Sequence, residues 1–465
     1  MRKVLGSHSQ KVAPQKPMGK EKMKVPILKK NYILRKHDIE GSTKIAIYGL
    51  YDKKVIEMNG DALFCVKHFS GEYSIEEIAD KITRIFNIKR KKALCSVNKI
   101  VDELKAQDVI YIKNEKAVEY KFSSLPKLRG VLHHVYIQLT RACNLRCMHC
   151  SVDAGTKGQE ELTKEEAFDL IDQIYDMMVP SVTISGGEPT LVSYLEDLIE
   201  YTSKKPIKVE IMTNGYNIDD TFAKSLVDKG LVHVNISLDG AKEDSHDYLR
   251  GVSGSFKKAV NAIKMFKGLG IFVETTTVIH DKNRNEISEI INLCKRLGVD
   301  HMKFVPIVPY KRGKKCDFVS SLDCYVNNIR NIFSAYNSSY NQLMRRNISK
   351  KIHNNIIFRC GAGNGLLGVS SEGYVHPCNN IENIILGNIR NQSLIEIYNN
   401  SNNLRSMYEI LSINGSECEQ CSILDYCGGG CVMLAYSYYE DYKKCDITRK
   451  PYIAELMKER GERNL

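Results

Sequence analysis

Apolar and polar positions change period along the 465 residues, and the first part of the chain mixes strand and helix patterns. Three short runs in residues 31–57, NYILRK, KIAIYGL and KKVIEM, predict strands. Two stretches with helical spacing follow, and Ser74 and Glu77 form a capping box ahead of the first apolar stripe. The run VIYIKN then returns to strand. Residues 26–122 therefore predict a small winged-helix-like domain.

From residue 132 the pattern becomes a regular alternation of strands and amphipathic helices. Strands are expected near residues 135–139, 181–185, 207–212, 232–237, 271–278 and 300–305. Six β/α units in succession predict an α/β fold with a parallel, partly closed, TIM-like (β/α)6 barrel over residues 132–345. In such folds the chemistry collects on loops at the carboxyl ends of the strands.

The remaining segments have their own composition. Residues 346–465 are rich in Asn, Gly and Cys and predict a metal-stapled domain whose hydrophobic core would be too small alone. Residues 123–131, with Pro126 and Gly130, read as a linker. Residues 1–25 are basic and poor in apolar side chains, so we expect a disordered, solvated tail.

The net charge of +12 is concentrated at one end of the chain. Residues 1–36 hold eleven Lys/Arg and one acid, so the rest of the chain is nearly neutral. Nucleic-acid binding would require a clustered basic face, and we expect no nucleic-acid partner. No apolar run is long enough to cross a bilayer, and the N-terminus lacks a signal-peptide core, which predicts a cytoplasmic protein without a membrane span.

Fifteen cysteines are unusual for such a chain, because a reducing cytosol disfavours disulfides and leaves metal binding or catalysis as their use. Ten fall into two groups with ligand-like spacing: Cys143, Cys147 and Cys150, then Cys360, Cys378, Cys418, Cys421, Cys427, Cys431 and Cys445. The first group has the spacing C-x3-C-x2-C, which can bind three irons of a four-iron cluster and leave the fourth open. A zinc site would need a fourth ligand, for which His149 and His133 are near in sequence.

This triplet after the first barrel strand, the sequence Gly186-Gly187-Glu188-Pro189 after the second and the six-unit barrel resemble the radical S-adenosylmethionine (SAM) enzymes over about residues 132–310. The resemblance implies that the open iron chelates the amino and carboxylate groups of SAM. One electron then cleaves the C–S bond, and the resulting 5′-deoxyadenosyl radical abstracts hydrogen from the substrate.

The same resemblance implies a set of SAM-binding residues: His149, Gly186, Gly187, Glu188, Pro189, Asn214, Ser237, Asp239 and Arg250. The two glycines allow backbone to approach a ligand, and Glu188 or exposed carbonyls can accept the methionine ammonium. Asn214, Ser237 and Asp239 are assigned to the ribose hydroxyls. Arg250 is assigned to the methionine carboxylate, and His149 is assigned to adenine. Each residue alone is also compatible with an ordinary turn or surface position.

The second cysteine group matches the seven-cysteine pattern of the SPASM extension of radical SAM enzymes. The resemblance implies one auxiliary [4Fe–4S] cluster on Cys418, Cys421, Cys427 and Cys445, and another on Cys360, Cys378 and Cys431. Together with the first triplet, this gives three clusters. Some relatives carry a further cysteine where this chain has Leu366. A zinc ribbon on Cys418, Cys421, Cys427 and Cys431 is the alternative, but it leaves the other three cysteines unexplained.

The N-terminal domain resembles the PqqD-like element that binds leader peptides in enzymes maturing ribosomally synthesised peptides. An edge strand such as Lys54–Met58 could accept an extended leader, and the helix near Val97–Leu104 could offer apolar pockets. A DNA-binding winged helix is the alternative, and the near-neutral charge outside the tail weakens it.

Together these features predict a radical SAM oxidoreductase that matures a precursor peptide and takes its electron from a flavodoxin- or ferredoxin-like reductant. The sequence CGAG at Cys360–Gly363 is similar to that of thioether-forming sactipeptide and ranthipeptide maturases. Carbon–carbon or carbon–oxygen crosslinking, epimerisation and sulfatase-type maturation are alternatives, although the last would want a carboxylate where Asn379 stands. A non-enzymatic iron–sulfur electron carrier gains nothing from an open iron and is disfavoured.

Overall fold

The computed structural model describes residues 23–29, 32–39, 42–49, 55–58, 60–118, 132–205, 207–317, 352–353, 356–357, 360–421, 424 and 429–446. The strands are β1 Val25–Leu28, β2 Tyr32–Ile39, β3 Ser42–Gly49, β4 Val55–Met58, β5 Ile110–Lys113, β6 His134–Gln138, β7 Ser181–Ser185, β8 Lys208–Thr213, β9 His233–Ser237, β10 Phe272–Ile279, β11 His301–Pro306, β12 Ile352–His353, β13 Ile356–Ile357, β14 Leu366–Val369, β15 Tyr374–His376 and β16 Gly387–Asn388.

The helices are α1 Gly60–Val66, α2 Ile75–Phe86, α3 Arg90–Ala106, α4 Lys164–Asp176, α5 Leu195–Ser203, α6 Asp220–Asp228, α7 Glu243–Arg250, α8 Ser255–Gly268, α9 Ile287–Arg296, α10 Leu394–Asn400, α11 Asn402–Leu411 and α12 Val432–Tyr439, with short 3-10 turns at Pro189–Leu191 and Lys311–Lys315. Two compact units contain these elements: residues 1–30 with 59–123, and residues 31–58 with 124–465.

The first unit packs α1, α2 and α3 with the antiparallel pair β1–β5. The predicted capping box is confirmed, because Glu77 N donates to Ser74 Oγ and Ser74 N donates to the Glu77 carboxylate. The sequence does not predict strand β1 and places its first residue, Val25, in the tail. In the structure the Val25 side chain is fully buried, and the Val25 backbone pairs with Lys113. Residues 1–22 of the predicted tail and the linker 123–131 lie outside the described residues.

The three strands predicted in residues 31–57 are confirmed as the antiparallel sheet β2-β3-β4. The contacts, however, group residues 31–58 with the second unit, whereas the sequence assigned them to one domain with residues 60–122. In the described residues β5 pairs with β1, and β2, β3 and β4 form a sheet of their own.

The second unit contains the predicted parallel barrel strands, β6 to β11, in sequential order and close to their expected bounds. The sheet also continues beyond β6, because β14 pairs with β6 in parallel and is followed by β15 and β16. This pairing satisfies the main-chain groups that an edge strand would expose.

The C-terminal region shares the hydrophobic core of the barrel. Leu367, Ile397 and Leu404, for example, belong to the same buried cluster as Ile137 and Val182. The apolar residues of this region therefore pack in a core shared with the barrel, because β14 pairs with β6. In the described part of the chain, the helices are too short or too polar to cross a bilayer.

Candidate active site

The site lies at the carboxyl ends of β6 to β9. Because these strands are parallel and in register, the loops that follow Gln138, Ser185, Thr213 and Ser237 meet at one edge of the sheet. The loop after β6 carries the first cysteine triplet.

The Gly-Gly pair is needed by the cysteine loop itself. Gly187 N donates to Thr140 O at 2.7 Å, and Glu188 N donates to Ala142 O at 2.8 Å. A Cβ on Gly187 would lie 2.2 Å from Ala142 O, and one on Gly186, whose φ is +136°, would lie 2.4 Å from Thr140 O. The expected close approach is thus made by the backbone of the cysteine loop.

Glu188 is fully buried and accepts four hydrogen bonds. The donors are Thr190 N at 3.1 Å, Thr190 Oγ1 at 2.8 Å, Thr213 Oγ1 at 2.7 Å and Asn214 N at 2.8 Å. Burial raises the pKa of this carboxyl, and these hydrogen bonds oppose the shift. Because both oxygens are occupied by protein donors, exposed carbonyls become the better candidates for the methionine ammonium. The buried Pro189 begins the 3-10 turn that Glu188 caps.

Replacement of Glu188 by Gln should lower the free energy of unfolding by about 2–3 kcal/mol, because the amide nitrogen would face a donor within a buried network. The measurement is anaerobic denaturant unfolding of the full chain. Glu165, which is exposed in the first turn of α4, provides the matched Glu→Gln control. A loss below about 0.5 kcal/mol, the range of surface substitutions, would contradict the proposed role of the network.

The three thiols of the first group lie in surroundings suited to metal-bound thiolates. Burial, with Cys147 and Cys150 as neighbours, raises the pKa of Cys143 to about 11, although Leu145 N opposes the shift. Ala154 N donates to Cys150 Sγ at 3.4 Å, and Asn214 Nδ2 lies 3.9 Å from Cys143 Sγ. Crowded, buried thiols repel one another once ionised, so a cationic iron cluster fits this donor set.

Three predicted SAM-binding residues surround Cys147. Arg250 Nη1 lies 3.7 Å from its sulfur, and Arg250 Nε lies 2.7 Å from Oδ2 of the fully buried Asp239. His149 Nε2 is 3.7 Å from the same oxygen. Burial lowers the pKa of His149 to about 4, so its ring is neutral near pH 7. Arg250 thus lies against Asp239 and the cysteine loop, and its assignment to the methionine carboxylate stays a prediction.

The remaining predicted residues lie nearby. Asn214 directly follows β8, and its side chain binds Asn144 Oδ1 at 2.8 Å and Tyr216 N at 2.8 Å. Ser237 ends β9 and is partly buried. Their assignment to the ribose stays a prediction.

Three cysteines of the second group come together. Burial raises the pKa of Cys378, and Cys360 and Cys431 contribute to the increase; the pKa of Cys431 is raised to about 12 by burial and by Cys360. Leu366, at the position where some relatives carry a cysteine, begins β14 and pairs with His134. These are the three thiols that the resemblance assigns to one auxiliary cluster.

The segments that carry Cys418 and Cys445 meet at Glu417. Glu417 N donates to Lys443 O at 3.1 Å, and Cys445 N donates to the Glu417 carboxylate at 3.0 Å, which brings the segment of Cys418 to that of Cys445. Cys421 N donates to Cys418 O at 3.2 Å. Cys427 lies outside the described residues.

Sequence reasoning missed a charged network inside the barrel. Glu274 accepts from Lys303 Nζ at 2.7 Å and from Asn235 Nδ2 at 2.5 Å, and His233 Nδ1 lies 2.9 Å from Glu210. These residues lie on β8 to β11, at positions whose side chains face the barrel interior. Polar residues at every second position of those strands were the available signal.

Comparison with known proteins agrees with this geometry. Residues 137–294 match the radical SAM superfamily, and residues 360–422 match SPASM, an iron-sulfur cluster-binding domain. An AdoMet-dependent heme synthase of Methanosarcina barkeri is 29% identical over 341 residues, covering 68% of this chain and 94% of its own. The sporulation killing factor maturation protein SkfB of Bacillus subtilis is 27% identical, covering 68% and 77%.

A crystal structure of Streptococcus suis SuiB bound to the precursor peptide SuiA has the same fold, with a TM-score of 0.63 and 16% identity, covering 91% of this chain and 100% of SuiB. Radical SAM and SPASM domains bind SAM and [4Fe–4S] clusters. The chain therefore contains a region that matches the radical SAM superfamily, followed by a region that matches the SPASM domain.

Proposed function

We propose that this enzyme matures a ribosomally synthesised precursor peptide by forming a thioether between a cysteine sulfur and a carbon of the same peptide. The observation that carries the proposal is the position of the Cys360, Cys378 and Cys431 set beside β6, the strand that leads into the first cysteine loop. Gly368 of β14 pairs with Tyr136 of β6, and a Cβ on Gly368 would lie 2.9 Å from the backbone of Cys378.

Two [4Fe–4S] clusters would be held near each other by this arrangement, one by the first triplet and one by the Cys360 set, with a third on Cys418, Cys421, Cys427 and Cys445. When bound, the first cluster and SAM supply a radical that removes hydrogen from a C–H group. The protein's own part is to fix the thiols: Arg250, anchored by Asp239, donates toward Cys147, and Asn214 donates toward Cys143.

With Leu366 in place of a fourth cysteine, the Cys360 set offers three thiols for four irons. Iron prefers thiolate as a soft ligand, so a cysteine of the precursor fits the remaining position. This supports thioether formation over the crosslinks and the epimerisation that the same radical chemistry could produce, since only thioether formation needs a held substrate sulfur.

Leader recognition is assigned to the N-terminal region. Among the strands that the structure describes, β4 lies at the edge of its sheet, which suits the addition of an extended peptide. The predicted pockets on α3 need correction, because Val97, Val101 and Leu104 are buried in the core of the first unit. The exposed apolar side chains of the first unit include Ile85 and Phe86 at the end of α2.

Tetrapyrrole modification is the second candidate, since heme synthases are among the relatives. It is less well supported by the charges, because haem-type substrates carry carboxylates. Lys303, inside the barrel, and Lys311, at its mouth, are each paired with a glutamate, Glu274 and Glu382. This pairing weakens the attraction of either lysine for a substrate carboxylate. About a third of this chain is also not covered by the heme synthase match.

We expect a short open reading frame for a Cys-containing peptide beside the gene. The deciding experiment incubates anaerobically reconstituted enzyme, SAM and dithionite with that peptide. The product should weigh two hydrogens less than the precursor and lose one alkylatable thiol for each thioether. A product whose mass is unchanged in ordinary water, but which takes up deuterium from deuterated solvent, would indicate epimerisation. Loss of two hydrogens with every thiol retained would indicate another crosslink. Conversion of an iron coproporphyrin in a parallel reaction, with an unmodified peptide, would overturn the peptide assignment.

A further inference from the structure

A short loop connects Cys378, one of the Cys360 set, to the end of the barrel where the carboxyl ends of its strands lie, called here the barrel mouth. Cys378 is followed by a turn in which Ile381 N donates to Cys378 O at 3.2 Å, and the next residue is Glu382. The carboxylate of Glu382 accepts from Gln138 Nε2 at 3.3 Å, forms an ion pair with Lys311 and lies 3.9 Å from Arg141 Nη2. Its side chain is 10% exposed.

The three partners of Glu382 mark its position at the barrel mouth. Gln138 is the last residue of β6, Arg141 lies two residues before Cys143, and Lys311 follows β11. Glu382 therefore lies between the first cysteine loop and the Cys360 set, although it belongs to neither group of predicted ligands. Lys311, Arg141 and Gln138 hold its carboxylate in one orientation.

Aromatic side chains accompany this carboxylate. Tyr436 and Tyr442 stack with their ring centroids 4.2 Å apart, and Asn383 Nδ2, next to Glu382, donates to the Tyr442 hydroxyl at 3.0 Å. Burial raises the pKa of Tyr310, with a contribution from the charge of Glu382, so this ring also lies near the carboxylate. One acid among aromatic rings fits an extended peptide, which offers main-chain N–H donors and side chains that pack on rings.

We propose that Glu382 is a positioning residue for the precursor peptide: it accepts hydrogen bonds from main-chain N–H groups and holds the reacting segment between the first cysteine loop and the Cys360 set. An ionised carboxylate has about four acceptor sites, more than the partners of Glu382 among the described residues fill. The proposal rests on the peptide-maturase function proposed above.

The test compares full-length, reconstituted wild-type enzyme with Glu382→Gln, using the same Cys-containing peptide. The variant should raise the KM for peptide by about tenfold, because one charge-assisted hydrogen bond contributes about 1.4 kcal/mol. Cleavage of SAM should continue, so the ratio of 5′-deoxyadenosine to modified peptide should rise. Iron content and the iron–sulfur absorption spectrum should match the wild type.

Glu372→Gln is the matched control, because Glu372 also pairs with Arg141, at 2.6 Å. An equal effect of both variants would assign the change to Arg141 and overturn the proposal, as would a Glu382→Gln enzyme with unchanged KM and product ratio. Loss of iron in Glu382→Gln, without recovery of iron or KM in Glu382→Asp, would assign the residue a structural role instead. If wild-type enzyme cleaves SAM but neither binds nor modifies the peptide, the proposed function itself fails.

Discussion

Replacing Cys143, Cys147 and Cys150 together by Ala is expected to abolish reductive cleavage of SAM. We predict that the triplet supplies the three thiols of the first cluster, so no radical should form without it. Iron should fall from about twelve to about eight per chain, because each [4Fe–4S] cluster holds four and two would remain. The measurements are 5′-deoxyadenosine formation with dithionite and iron analysis after anaerobic reconstitution.

Cys95→Ala, which removes an exposed thiol of the first unit, is the control for the loss of a cysteine as such. It should retain both iron and activity. Complete loss of iron in the triple variant would show that the auxiliary sites depend on the first, and zinc or only about four irons in the wild type would contradict three clusters. Residual 5′-deoxyadenosine formation in the triple variant would contradict the assignment of the radical site.

Deleting residues 1–122 is expected to lower turnover of the full precursor by on the order of 100-fold at limiting peptide, which corresponds to about 2.8 kcal/mol of lost leader binding. SAM cleavage without peptide should continue, since the first cysteine loop and its partners lie in residues 138–283. The readouts are modified peptide by mass spectrometry and 5′-deoxyadenosine by chromatography.

The matched change is removal of the leader from the precursor. If leader and N-terminal region bind each other, each deletion alone should cause a similar loss, and the two together should cause no further loss. Additive losses would contradict direct recognition. Strongly salt-dependent binding of duplex DNA, lost on the same deletion, would favour the winged-helix alternative. Loss of SAM cleavage would show that residues 31–58, which group with the second unit, are needed for its stability.

The site was only partly predictable from sequence. The assignment of the SAM-binding residues stays a prediction, but their protein contacts were not expected: the Glu188 carboxylate accepts from Thr190, Thr213 and Asn214, and Arg250 pairs with Asp239. The resemblance to radical SAM enzymes indicated that these side chains lie near the cysteine loop. It did not indicate which side chains contact other parts of the protein, because Thr213 and Asn214 lie at the end of β8 and Asp239 follows β9.

The six barrel strands and the Ser74–Glu77 capping box could be predicted from local pattern, because strand period and capping depend on residues a few positions apart. The grouping of Cys360, Cys378 and Cys431 came instead from the resemblance to the SPASM extension. Only the tertiary structure decided that β1 pairs with β5, that β14 extends the barrel sheet from β6, and that Glu382 reaches the barrel mouth. Each of these joins segments far apart in the chain, and such contacts are set by how all the elements pack, which local pattern does not encode.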